Sequence, residues 1–147
     1  MQTETATDPR AGTAATQVNV DLAAAGGAAD GAADTVAVHG TVGADTISFS
    51  PDAGTVVLSG LSAEVRVTGY EVVDQVTFNG VGSDVVDVNG SDGPDNLTLI
   101  SNGAQARIDV SSYSAAVSLS GSMSLNINTL GGPDTISCTG NLASLLI

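Results

Sequence analysis

From Asp34 onward, short runs place two apolar residues two positions apart, with polar residues between and around them. The pairs are Val36/Val38, Ile47/Phe49, Val56/Leu58, Val65/Val67, Val76/Phe78 and Val86/Val88, then Leu97/Leu99, Ile108/Val110, Val117/Leu119, Leu125/Ile127, Ile136/Cys138 and Leu145/Ile147. Alternation of this kind is the period of a β-strand with one face buried and one solvated. Successive runs begin about ten residues apart. Gly, Asn or Asp usually fills the gaps, as tight turns require. A longer period lies on top. Asp34–Gly40 resembles Asp74–Gly80, Asp45–Phe49 resembles Asp84–Val88, and Asp95–Leu99 resembles Asp134–Cys138. All three pairs share an offset of about forty residues, and fixed self-similarity in this range marks a repeat architecture.

The near-constant step predicts an all-β protein, a right-handed parallel β-solenoid (β-roll or β-helix) with about ten residues per strand-plus-turn. Four strands per superperiod fit two coils of about twenty residues, and three strands per coil fit the spacing as well. A β-sandwich is the alternative, since it too offers many short alternating strands. Residues 1–15 are polar and aperiodic and read as a flexible lead-in. Residues 16–33 hold a first strand, Thr16–Asp21, and a small-residue insert, Ala23–Ala33, that could cap the first coil. Residues 34–147 are the solenoid repeats. The run Asn141–Ile147 is apolar and uncharged, so the coil is expected to continue or to pack against another copy there.

Sixteen acids oppose three arginines, Arg10, Arg66 and Arg107, with no lysine, for a formal net charge of −13. Such a chain cannot neutralise a run of phosphates, which argues against nucleic acid and anionic membrane surfaces. No stretch is long enough to insert in a bilayer. Divalent cations are the partners its charge would attract. Thirteen of the acids are Asp, a turn former, and only three are Glu. Cys138, the only cysteine, falls at an inward strand position and reads as a small core residue. The start, Met1–Thr5, lacks the basic and apolar regions of a secretory signal. Export is therefore expected by another route, or the chain is a piece of a longer one.

The segment Asn79-Gly80-Val81-Gly82-Ser83-Asp84-Val85-Val86-Asp87 resembles the nonapeptide G-G-x-G-x-D-x-U-x of the repeats-in-toxin (hemolysin-type calcium-binding) family, departing at its first position. Gly40–Ser48 fits with the second Gly replaced. Gly131–Ile136 and Gly93–Leu97 keep the G-x-D-x-U half. The resemblance implies calcium as cofactor, held by the carboxylates of Asp84, Asp45, Asp95 and Asp134 with carbonyls of Gly80, Gly82 and Gly43. Asp87 and Asp92 complete the densest local cluster, Asp84 to Asp95. Calcium takes six to eight oxygens, which turns stacked on neighbouring coils would supply jointly. In this chain the motif alternates with strands that lack it, such as Thr55–Leu58. The plain alternative is that each Asp caps its own turn.

His39, the only histidine, sits beside a turn and reads as a surface residue. No Ser-His-Asp arrangement is plausible, and the pairs Asp84/Asp87 and Asp92/Asp95 lack the aromatic platforms of a glycosidase. The chain is therefore expected not to be an enzyme. Two classes of function stay open. One is a calcium-binding or calcium-stabilised structural or adhesive spacer from a larger secreted bacterial surface protein. The other is a metal-independent solenoid whose flat face, with threonines such as Thr35, Thr46, Thr77, Thr98 and Thr135, binds a polysaccharide, a partner chain or ice.

Overall fold

Runs of Val, Ile, Leu and Thr fit a pleated, half-buried surface better than a helix. A computed structural model describes residues 3–7, 15–102, 105–113 and 115–141, and among them there are thirteen strands and no helix. In chain order the strands are β1 (Thr3–Thr7), β2 (Gln17–Asp21), β3 (Thr35–His39), β4 (Thr46–Asp52), β5 (Thr55–Ser59), β6 (Glu64–Thr68) and β7 (Gln75–Asn79). Then follow β8 (Asp84–Asn89), β9 (Asn96–Asn102), β10 (Gln105–Val110), β11 (Ala116–Ser120), β12 (Met123–Asn128) and β13 (Thr135–Thr139). Seven form one sheet in the order β1-β3-β7-β11-β10-β9-β13, and six form the other in the order β12-β8-β4-β5-β6-β2. β1, from the segment read as an aperiodic lead-in, pairs in parallel with β3; residues 1–2 and 8–14 of that segment lie outside the described residues.

The superperiod is visible as register. β3 lies parallel to β7 with Val36 opposite Val76, and β4 lies parallel to β8 with Ile47 opposite Val86. β13 lies parallel to β9 with Ile136 opposite Leu97. These are the three segment pairs that the internal similarity of the sequence picks out. Further parallel pairs, β11 with β7 and β12 with β8, extend the same stack by another layer.

The uniformly parallel solenoid of ten-residue steps is corrected on two points. β5 runs antiparallel to β4 and β6, and β10 runs antiparallel to β9 and β11, so both sheets are mixed. The cause is the length of two connections. Asp52 pairs with Thr55, leaving only Ala53 (φ 48°) and Gly54 (φ 84°) between β4 and β5. Two central residues at positive φ make the hairpin turn whose twist matches the flanking strands. Asn102 likewise pairs with Gln105 across two residues. So short a link cannot carry the chain to the opposite sheet, and the strand folds back. Secondly, the parallel neighbour of most strands comes four strands later. The repeating unit is therefore one circuit of about forty residues, not two coils of about twenty.

The inner rows of the two sheets fill the core as the alternation predicts. Val36, Val38, Ile47, Phe49, Val56, Leu58, Val65, Val67, Val76, Phe78, Val86, Val88, Leu97, Leu99, Ile108, Val110, Val117 and Leu119 are all buried. Phe49 stands on one sheet and Phe78 on the other, both fully enclosed. The far end departs from this pattern. Every residue of β13 is exposed, Ile136 to 50%, and Cys138 is exposed rather than buried as its strand position suggested. β13 is the terminal strand of the longer sheet, seven strands against six, and among the described residues no strand of the other sheet covers it. Leu125 and Ile127 on the adjoining edge strand β12 are only partly buried. Leu145 and Ile147 lie outside the described residues.

Candidate functional site

The aspartate turns are the feature that repeats most faithfully, and their chemistry follows from what the carboxylates touch. In the turn between β3 and β4, Asp45 Oδ2 accepts the backbone N–H of Thr41 at 2.6 Å, and the Thr41 hydroxyl donates to Oδ1 at 3.0 Å. The turn between β8 and β9 does the same, with the Ser91 N–H on Asp95 Oδ2 at 2.6 Å and the Ser91 hydroxyl at 3.2 Å. Before β7, Asp74 Oδ2 accepts the Glu71 N–H at 2.6 Å. Each is an Asp capping its own turn through charge-assisted hydrogen bonds.

A second contact ties neighbouring layers. The Asp34 N–H donates to Asp74 Oδ1 at 2.9 Å, the Asp45 N–H to Asp84 Oδ1 at 3.0 Å, and the Asp95 N–H to Asp134 Oδ1 at 3.0 Å. Asp74 does both, closing its own turn with Oδ2 and stapling the turn one circuit earlier with Oδ1, while Asp84 and Asp134 make the staple. Asp34, Asp74, Asp84 and Asp95 are buried. A buried carboxylate is tolerated because several donors converge on it.

Asp84 breaks the rule. Its Oδ1 holds the Asp45 N–H, but its Oδ2 is enclosed with no hydrogen-bond partner. The turn 80–84 is one residue shorter than 40–45 or 90–95. The position that supplies Thr41 and Ser91 in those turns, four before the Asp, is here Gly80. Gly80 has no hydroxyl, and its N–H already donates to the Ser120 carbonyl at 2.8 Å. The close nonapeptide match is thus the turn whose carboxylate keeps one oxygen unspoken for.

The glycines have local reasons to be there. Gly82 (φ 131°) passes so near the Gly43 carbonyl that a Cβ would come to 2.9 Å of that oxygen, and Gly121 (φ 102°) crosses the Gly80 carbonyl more closely still. Three turns stacked at one corner fit only without side chains at these points. At Gly80 a Cβ would collide with Asp84 Oδ2, whereas at Gly43 it would meet only Thr41 Oγ1, at 3.5 Å.

The remaining predicted ligands are dispersed. Asp87 lies on the outer face of its sheet, accepting from Asn126 Nδ2 at 2.8 Å, and Asp92 is exposed at the tip of its turn. Asp134 is half-buried. Among the described residues no three His, Cys, Asp or Glu side chains converge in a way that could hold a metal ion.

The outer faces carry features that sequence reasoning passed over. Asn89 Nδ2 bridges Ser48 Oγ at 2.8 Å and Ser50 Oγ at 3.0 Å, while Asn128 Nδ2 donates to Asn89 Oδ1 at 3.0 Å. That makes an amide ladder running across β12, β8 and β4. The signal was in the sequence, since Asn89 and Asn128 are one superperiod apart. On the other sheet a depression of about 370 Å³ is lined by Gln75, Thr77, Ile100, Gln105, Arg107 and Ser118. Arg107 is paired there with Asp109 at 2.9 Å. The threonines do not form a continuous row: Thr77 stands between Ala37 and Ser118, and Thr35 beside Gln75. His39 is exposed.

Comparison with family models, with curated proteins and with solved structures finds no match.

Proposed function

We propose that this chain is a non-enzymatic extracellular repeat module, a structural or adhesive spacer of a larger secreted bacterial surface protein. Its layers are joined by aspartate staples and amide ladders and fold without metal. The observation that carries this reading is the use of the turn carboxylates. Asp45, Asp74 and Asp95 each accept donors from their own turn, and Asp74, Asp84 and Asp134 accept the backbone N–H of the neighbouring layer. Carboxylates engaged this way supply the inter-turn bridges that calcium supplies in the family the motif resembles. A right-handed sense of winding belongs to the same reading, because crossovers between parallel strands of one sheet take that hand. The polar outer faces, rich in hydroxyls and amides, suit contact with a polysaccharide or a partner chain better than with ice, for which the threonine rows are too interrupted.

A second reading, calcium stiffening, rests on one atom, Asp84 Oδ2. Calorimetric titration with Ca²⁺ against Mg²⁺ separates the two. Metal-independent folding predicts no saturable heat and an unchanged melting temperature in chelator. A saturable Ca²⁺ heat that Mg²⁺ does not give, lost in Asp84→Asn, would replace the first reading with the second.

A further inference from the structure

We infer that the outer face of the seven-stranded sheet binds a neutral polysaccharide in a groove centred on Arg107. The inference rests on the reading of the polar faces as contact surfaces and names the ligand class and the residues that hold it. Two depressions meet at the Arg107 side chain. One, of about 370 Å³, is lined by Gln75, Gln105 and Ile100, and the other, of about 390 Å³, by Val72, Asp109 and Ser111. Each has the size of a small-molecule site, about 300–1,000 Å³. Together they follow β10 from Gln105 to Val110, five strand steps or roughly 17 Å. That is the outline of an extended ligand, not of a single ring. The floor strands β7, β11, β10 and β9 are each paired on both sides, so the groove lies within the sheet and not at its edge.

The chemistry of the lining selects the ligand. Arg107 Nε and Nη2 hold Asp109 at 3.0 and 2.9 Å, which orients the guanidinium, while Nη1 donates to nothing among the described residues. Among those residues the side chains of Gln105 and Thr77 make no hydrogen bond either, and Gln75 gives its amide N–H to Ser118 and keeps its carbonyl oxygen available. Beside these groups Ile100 is 40% exposed and Val72 75%. Donors and acceptors thus stand next to bare aliphatic carbon. A sugar ring answers both, with hydroxyls that donate and accept around its rim and C–H groups on its faces. The Arg107–Asp109 pair cancels charge within the groove, and the net charge of −13 repels a polyanion, so the ligand is neutral. A peptide finds no strand to join, because the backbone of the floor is already committed to its ladders.

The test is calorimetric titration of the full chain with cellohexaose, mannohexaose, xylohexaose and maltohexaose, and with polygalacturonate as the charged comparison. The expected result is saturable binding of at least one neutral hexaose, with a Kd between about 10 μM and 1 mM. It should be tighter than for the matching disaccharide and unchanged between low salt and about 0.5 M. Arg107→Ala and Gln105→Ala should each weaken it about tenfold, the worth of a hydrogen bond or two. Both side chains are exposed, so the melting temperature should hold. Arg66→Ala removes the same charge from the other sheet and should leave binding intact. No binding of any of the four neutral probes would overturn the inference, as would binding indifferent to Arg107→Ala or a salt-sensitive preference for polygalacturonate. A pull-down that recovers a protein with the native chain but not with Arg107→Ala, undisplaced by the hexaoses, would replace the glycan with a partner chain. A chain that folds in chelator yet binds no glycan sinks this inference alone and leaves the metal-independent spacer standing.

Discussion

Replacing Asp95 with alanine removes one complete turn cap while keeping the Asp95 N–H that donates to Asp134, and the structure allows its cost to be worked out. The carboxylate is 1% exposed and accepts the Ser91 N–H and hydroxyl on Oδ2, with a long contact of 3.4 Å from Ser111 Oγ to Oδ1. A hydrogen bond to a charged group contributes about 1.5–3 kcal/mol net, and a stranded backbone donor costs about 1–3 kcal/mol. The Ser91 hydroxyl is half-buried and can turn to water, so its loss is small. Removing one charge from a chain of net −13 gives back a little through reduced repulsion. Asp95→Ala should therefore destabilise by about 3 kcal/mol, a large part of the roughly 5–15 kcal/mol typical of a domain. Asp92→Ala removes the same charge from an exposed position and should change stability by under about 0.5 kcal/mol. Urea unfolding followed by circular dichroism, in chelator and then in millimolar Ca²⁺, measures both. A loss below about 1 kcal/mol at Asp95, or one that appears only when calcium is present, would refute the claim that the carboxylate acts through backbone donors.

Two further substitutions probe the corner and the core. Gly121→Ala adds a side chain at φ 102° over the Gly80 carbonyl and should cost about 3 kcal/mol by urea unfolding, while Gly43→Ala, with only Thr41 Oγ1 nearby, should be close to neutral. Burial raises the Tyr113 hydroxyl well above its ordinary value of 10.0, the charge of Asp95 adding to the shift. An acid whose folded pKa is raised contributes stability that is complete below its unfolded pKa and is lost as pH climbs from there through the folded value. Stability should thus fall as pH rises beyond about 10. The chain has no lysine to titrate in that range, so Tyr113→Phe should flatten the fall, leaving a residual slope from Tyr70, which burial also raises. The variant gives up the 2.5 Å bond from Tyr113 to the Asn89 carbonyl and should be about 1 kcal/mol less stable at neutral pH. Identical alkaline slopes in the two proteins would contradict the burial argument.

What the sequence determined by itself was everything that depends on the spacing of neighbouring residues. Alternation at Val36/Val38 or Val86/Val88 fixes which side chains face inward, because a strand has a period of two whatever it later pairs with. The superperiod identified the strands that pair in register, because like turns stack on like. Tertiary structure decided the direction of β5 and β10 and the fate of the ends. The reversal at Ala53-Gly54 was legible in principle, as two residues suffice for a hairpin and not for a crossing, but a regular strand-to-strand step hides it among longer turns. Ile136 and Cys138 carry the same local pattern as Leu97 and Leu99 and differ only in what lies opposite. Burial belongs to the facing sheet, so no strand encodes it alone. The same holds for the aspartates. Their shared G-x-D spacing announces a turn, whereas the use of each oxygen depends on whether a donor four residues back is free. For Asp45 and Asp95 it is. For Asp84 the pairing of Gly80 with Ser120, a full circuit further along the chain, takes that donor away.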